Sequence, residues 1–287
     1  MEPLADRYKF EIVLVNDGSS DGTLVEMLSE QKQDPKHIAV ASLTRNFGLE
    51  GAVQAGLRCA RGDAVVVMDA DLQDPPGLIC EMIRKWEDGA DVVHAVRTAR
   101  KNDTVFKRGS AALYYKLLSG MAGKVKIMRG AANYKLLSRR AVEAMEALPE
   151  KNQVFRVTAS YIGLKTAVVN YERDKRYAGK TKYSLKSMIP YALDSITGVS
   201  VEPLRMTRIP VWLSLLILLS SLVFLIVAPS ELWKAAAVLA LLLSFFSTMI
   251  FISVAVIAEY AAQTFIETKG RPIFMVEQYI PPEKEEG

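Results

Sequence analysis

The chain has 287 residues, half of them hydrophobic, and a formal net charge of +4. That length allows one large domain with additions, and so small a charge excess argues against nucleic acid as a partner. The two cysteines, Cys59 and Cys80, lack metal or redox spacing and fit reduced, buried thiols in a cytoplasmic domain.

Residues 1–205 have the composition of a soluble α/β domain. Glu11-Ile12-Val13-Leu14-Val15 is an apolar, β-branched run that predicts a strand. The turn Asn16-Asp17-Gly18-Ser19-Ser20-Asp21-Gly22 follows, then a helix from Thr23 to Gln31. Ile38 to Leu43 is a second predicted strand. Gly51 to Arg61 is a helix with Ala52, Ala55, Leu57 and Ala60 at its packing positions. Ala64 to Met68 is the third strand, Gly77 to Trp86 the next helix, and Ala90 to Val96 the fourth strand. Strands alternating with helices imply a doubly wound α/β domain with a mostly parallel sheet covered on both faces. Ligands of such sheets bind at the carboxyl ends of the strands. Asp17, Arg45-Asn46 and Asp69 to Asp71 each follow a strand directly and are expected to share that edge.

The third strand runs into Asp69-Ala70-Asp71-Leu72-Gln73-Asp74-Pro75-Pro76. Two carboxylates spaced i, i+2 where a strand bends into a loop can hold one hard divalent cation and the diphosphate attached to it. Gln73 adds a neutral oxygen, and the two prolines stiffen the exit. The plainer reading is an acidic turn capping the next helix.

Residues 109–125 and 184–198 carry apolar positions at helical spacing, suited to a domain core or to a membrane interface. Just before the apolar runs, positive charge gathers at Arg173, Lys175, Arg176, Lys180, Lys182 and Lys186. Such a cluster suits anionic lipid head groups or an anionic lipid substrate. Residues 210–228 and 232–258 are each long enough to span a bilayer, and the short link between them makes a two-helix hairpin. Neither is N-terminal, so neither is a signal peptide. Arg205 and Arg208 precede the first span, and Lys269 and Arg271 follow the second. The positive-inside tendency puts both termini and the large domain in the cytoplasm, with the chain integral to the cytoplasmic membrane. The expected organisation is a catalytic domain over 1–172, basic interfacial helices over 173–208, two spans over 209–258, and a cytoplasmic tail over 259–287. Spans with so little polar content could also associate laterally as a homo-oligomer.

The run Val15 to Thr23 resembles the nucleotide-binding turn of family 2 glycosyltransferases of the GT-A fold. Arg45-Asn46-Phe47-Gly48, Ala55-Gly56-Leu57 and Met68 to Pro76 narrow the resemblance to polyprenyl-phosphate glycosyltransferases, of the dolichol-phosphate mannose synthase and bactoprenol glucosyltransferase type. Arg176 to Ser184, Pro203-Leu204-Arg205 and the apolar hairpin match as well. The resemblance implies that Asp17, Asn46 and Asp69 bind the nucleotide, and that Asp69, Asp71 and Gln73 hold Mg²⁺ or Mn²⁺ on the diphosphate. Lys107, Arg108, Arg129, Arg176 and Lys182 become candidates for gripping the lipid phosphate or the leaving diphosphate. Asp71, Asn133 and Arg176 become the catalytic candidates. The implied reaction moves one sugar from a nucleotide-sugar donor, UDP-sugar favoured, to a polyprenyl phosphate at the cytoplasmic face, with inversion.

The chain departs from this family pattern twice. Nothing before Glu11 reads as the family's first strand, whose absence would leave ladder groups unpaired and apolar surface exposed. Asn133 in Gly130-Ala131-Ala132-Asn133-Tyr134 stands where the family usually carries an aspartate. Both departures keep alive an impaired, membrane-anchored sugar-nucleotide binder or assembly subunit. A processive polysaccharide synthase is disfavoured: Gln153-Val154-Phe155-Arg156-Val157 lacks the tryptophan of Q-x-x-R-W, and there are two spans where that class has more.

Overall fold

The computed structural model describes residues 7–71, 73–97, 131–151, 153–172 and 232–283, with Leu204, Ile209, Trp212, Leu213 and Leu216 as isolated positions. The strands are β1 (Ile12–Asn16), β2 (Ile38–Leu43), β3 (Ala64–Val67), β4 (Val92–Arg97), β5 (Ala131–Ser138), β6 (Thr166–Tyr171) and β7 (Val276–Ile280). The helices are α1 (Thr23–Gln33), α2 (Leu49–Cys59), α3 (Ile79–Glu87), α4 (Arg139–Glu146), α5 (Phe155–Tyr161) and α6 (Leu232–Lys269).

The strands form two sheets, ordered β1-β2-β7 and β3-β5-β4-β6. β1 and β2 are parallel, as are β4 and β6. β5 runs antiparallel between β3 and β4, and β7 runs antiparallel along β2. The α/β architecture is therefore built on mixed sheets. The antiparallel strands are the two that return from far along the chain, which a local alternation of strand and helix does not reveal. Among the described residues β1 pairs only with β2, and β3 only with β5. Val13 to Val15 and Ala64 to Val67 are half-buried, whereas Ala39 to Leu43 and Val92 to Ala95 are buried.

Side chains of β5 alternate between two cores. Tyr134 and Leu136 pack with Ile79 and Met82 of α3, Val93 and Ala95 of β4, and Val169 of β6. Leu137 faces the other way, toward Leu57 of α2, Val142 and Met145 of α4, and Phe155 of α5. Val53, Val65 and Val67 pack against that second core, and Gly56 abuts Val15. α2 therefore seals both sheets. α4 begins at Ser138, whose Oγ accepts the Ala141 N–H at 3.1 Å, the usual N-cap arrangement.

α6 has 38 residues and is about 57 Å long. Its stretch Phe245–Lys269 is long and apolar enough to cross a membrane, and none of that window is buried in the protein. Composition alone ends the span at 258, where charge reappears. The helix nonetheless runs on to Lys269, because 259–269 is rich in helix-favouring Glu, Ala and Gln. It stops at Gly270, φ +60°. The residues beyond it join the domain as β7, with Thr44 N–H donating to Met275 O at 3.0 Å. The first half of the expected hairpin, 210–228, lies almost wholly outside the described residues, so a single apolar helix is seen.

Candidate active site

The sequence places Asp17 at the end of β1, and the fold brings the loop after β2 onto it. Asp17 Oδ1 accepts the Phe47 N–H at 2.7 Å and Oδ2 accepts the Gly48 N–H at 3.0 Å. Asn46 Oδ1 also accepts from Gly48 N, at 3.1 Å. Asn16 is buried one residue earlier; its Nδ2 donates to Ser42 Oγ and its Oδ1 accepts from Ser19 N. Gly18, with φ +61°, lets the two loops touch backbone to backbone: a Cβ there would lie 2.3 Å from Arg45 C. The Arg45 guanidinium lies 3.9 Å over the Phe47 ring. Both Asp17 oxygens thus clamp a loop, and Asp17 and Asn46 stand together as the sequence led one to expect.

The acidic run leaves β3 directly. Asp69 and Asp71 are half-buried and Gln73 is buried, with Gln73 N–H donating to Asp71 Oδ1 at 3.2 Å. Among the described residues no three His, Cys, Asp or Glu side chains gather into a metal cluster. Two carboxylates and one amide are an all-oxygen donor set, which suits Mg²⁺ or Mn²⁺ when a diphosphate supplies the remaining ligands. Asn133 lies on β5, the strand that pairs with β3. Val67, the last residue of β3, pairs with Lys135, and Asn133 stands on β5 two residues beyond that last pair. Asn133 is 5% exposed, and its Oδ1 has no hydrogen-bond partner among the described residues.

Beneath this edge lies a polar layer that the sequence reading did not single out. His94 and Lys135 face each other across β4 and β5, and both are buried. Burial, with the Lys135 charge nearby, pushes the His94 imidazole down to about 4. Burial and the Arg156 charge hold the Lys135 ammonium down to about 7, although Glu50 opposes them. Lys135 Nζ lies 4.9 Å from the Phe155 ring centre, and Glu50 Oε2 accepts the Phe155 N–H at 2.8 Å. A second group surrounds Asp74, whose side chain is fully buried. Tyr171 Oη donates to Asp74 Oδ1 at 2.5 Å, and burial raises that phenol to about 12. Tyr134 Oη donates to Pro75 O at 3.0 Å, and burial raises it further still. A lysine and a histidine inside otherwise apolar strand runs were the signal available in the sequence.

Lys107, Arg108, Arg129, Arg176 and Lys182 lie outside the described residues. The structure therefore places Asp17 and Asn46 together on one pair of loops, and Asp69, Asp71 and Gln73 together on another, each just past a strand end.

Residues 3–145 match the family model described as glycosyl transferase family 2. An uncharacterized glycosyltransferase of Bacillus subtilis is 40% identical over 94% of this chain and 84% of its own length. The chain belongs to glycosyltransferase family 2. A bactoprenol glucosyl transferase of Shigella phage SfV is 37% identical over 94% of this chain and 88% of its own. Among solved structures, glucosyl-3-phosphoglycerate synthase of Mycobacterium tuberculosis, with Mn²⁺, uridine diphosphate and phosphoglyceric acid, aligns with TM-score 0.45 and 20% identity. That alignment covers 69% of each chain. The protein is a glycosyltransferase with bactoprenol glucosyl transferases among its homologues.

Proposed function

We propose that this glycosyltransferase moves one sugar from a nucleotide-sugar donor, a UDP-sugar in the first instance, to a polyprenyl phosphate at the cytoplasmic membrane face, with inversion and dependence on a divalent metal. One observation carries the reading: the acidic loop leaves the carboxyl end of β3 in a domain into which α6, long and apolar enough to cross a membrane, leads directly through β7. Asp69, Asp71 and Gln73 would hold Mg²⁺ or Mn²⁺, which when bound neutralises charge on the departing diphosphate. Asp17 fixes the 45–48 loop that flanks the nucleotide.

An acceptor phosphate monoester has a second pKa of about 6 and is mostly dianionic at neutral pH. Its oxygen attacks the anomeric carbon while the bond to the donor diphosphate breaks. Such a nucleophile needs little help from a base, which accommodates Asn133 in place of a carboxylate. Positioning and leaving-group stabilisation dominate the rate. Lys107, Arg108, Arg129, Arg176 and Lys182 are the proposed phosphate-binding cations. The chain would be integral to the cytoplasmic membrane with both termini inside.

The test uses membranes containing the full chain, labelled UDP-glucose and extracted polyprenyl phosphate, with Mn²⁺ or with a chelator. Organic-extractable label that needs the metal, and that falls at least a hundredfold in Asp71→Asn, is the expected result. Donor binding without transfer would mean an assembly subunit instead.

A further inference from the structure

The loop that carries Asp69, Asp71 and Gln73 is anchored immediately after Gln73. The next residue, Asp74, is fully buried. Tyr171 Oη donates to its Oδ1 at 2.5 Å, and Arg97 Nη2 stands 3.9 Å from the same oxygen. Arg97 Nε in turn donates to Tyr171 Oη at 3.1 Å. Directions in this chain are fixed: a guanidinium only donates and a carboxylate only accepts, so the phenol must donate its hydrogen bond to Asp74. One residue further, the Pro75 carbonyl accepts from Tyr134 Oη at 3.0 Å. The two tyrosine rings meet edge to face, with centroids 5.9 Å apart. Two consecutive loop residues are thus held by two packed phenols from β5 and β6.

This anchor does more than tie a loop to a core. Gln73 is one peptide bond from Asp74, and its own N–H is bonded to Asp71 Oδ1. Any rotation of the Asp74 backbone therefore reaches both an amide and a carboxylate donor. Tyr171 is also the last residue of β6, from which the chain passes within two residues into the basic segment that begins at Arg173. We infer that Tyr171 is a positioning residue of this glycosyltransferase, acting through Asp74 to set the oxygen donors that receive the cation and the donor diphosphate. This rests on the metal-dependent reading above. Groups that orient metal ligands from behind typically change metal affinity or activity 10- to 100-fold when removed. Loss of the Tyr171 hydroxyl falls in that class.

The experiment compares the full-length, detergent-purified chain with Tyr171→Phe, which keeps the ring contact and removes the hydrogen bond. The readout is the Mn²⁺ concentration giving half-maximal thermal stabilisation in the presence of UDP, with bound Mn²⁺ followed by its electron paramagnetic resonance signal. The expected result is a Mn²⁺ midpoint raised about 10-fold or more, with transfer largely recovered at saturating Mn²⁺. A variant that melts earlier yet keeps the wild-type Mn²⁺ midpoint would show a merely structural tyrosine and overturn the inference. If Tyr171→Phe fails to fold, Tyr134→Phe decides, because it frees the neighbouring Pro75 carbonyl alone. A raised midpoint supports the anchor, and an unchanged one overturns it. Wild-type protein that binds no Mn²⁺ with UDP would overturn the metal-dependent reading itself, an outcome distinct from equal binding by wild type and variant.

Discussion

Asn133 and His94 show how much of this site is decided by single buried side chains. An aspartate at 133 would put a carboxylate on β5 in a position only 5% exposed. Because the proposed acceptor is already ionised, Asn133→Asp is expected to give no gain in turnover. It is also expected to lower stability by about 1–3 kcal/mol, since a buried carboxylate needs partners. A tenfold gain in labelled product would show instead that the chain lacks a needed carboxylate. His94 and Lys135 carry a pH signature. In the folded chain the imidazole titrates near 4, against 6.5 for the ordinary group. Between those values the unfolded chain takes up a proton that the folded chain refuses, so stability falls as pH drops from 6.5 toward 4. Lys135 acts in the same sense in a higher window, between about 7 and its ordinary 10.5. Burial is the main cause of that lowering; the Arg156 and Arg97 charges add to it, and Glu50 opposes it. Denaturant unfolding of wild type and His94→Leu across the acid window checks the first slope. The variant should lose it and should be the more stable protein at pH 5, by about 1–3 kcal/mol, because two buried ring nitrogens with no hydrogen-bond partner among the described residues are gone.

The β1–α1 turn and the β2–α2 loop work as one element. Their contact depends on Gly18, where a Cβ would collide with Arg45 and where φ is +61°. Gly18→Ala is expected to lose about 1–2 kcal/mol to the left-handed backbone alone, and more to the collision. It should abolish thermal stabilisation by UDP. Gly22→Ala is the control, because nothing lies within 4 Å of a Cβ there, and it should leave UDP stabilisation intact. Elements of this kind were legible in the sequence. β1, α1, β2, α2, β3, α3 and β4 are contiguous, alternate in type, and hand Asp17, Asn46 and Asp69 to strand ends by local rules. β5 was not legible as a strand, because Asn133 and Lys135 interrupt its apolar pattern on a face that is nonetheless buried. The Tyr171–Asp74 contact was hidden for another reason: it joins residues 97 positions apart, and no spacing rule reaches that far.

At the scale of the whole molecule, the segment beyond α6 is as much a part of the α/β domain as anything before it. β7 pairs with Val40 to Leu43, which are among the most buried residues of the protein. Four register pairs join the two strands. At about 0.5–1.5 kcal/mol per hydrogen bond, such a ladder contributes several kcal/mol, a large share of the roughly 5–15 kcal/mol that holds a domain together. Removing it also exposes the edge of β2 to pairing with other chains. A soluble catalytic fragment therefore cannot be made by stopping the chain before the apolar helix. A fragment ending at residue 203 is expected to aggregate. The same fragment joined by a flexible Gly/Ser linker to residues 270–287 should unfold in one cooperative transition. Light scattering and thermal melts of the two fragments check this, and equal behaviour would mean that β7 contributes nothing the domain needs.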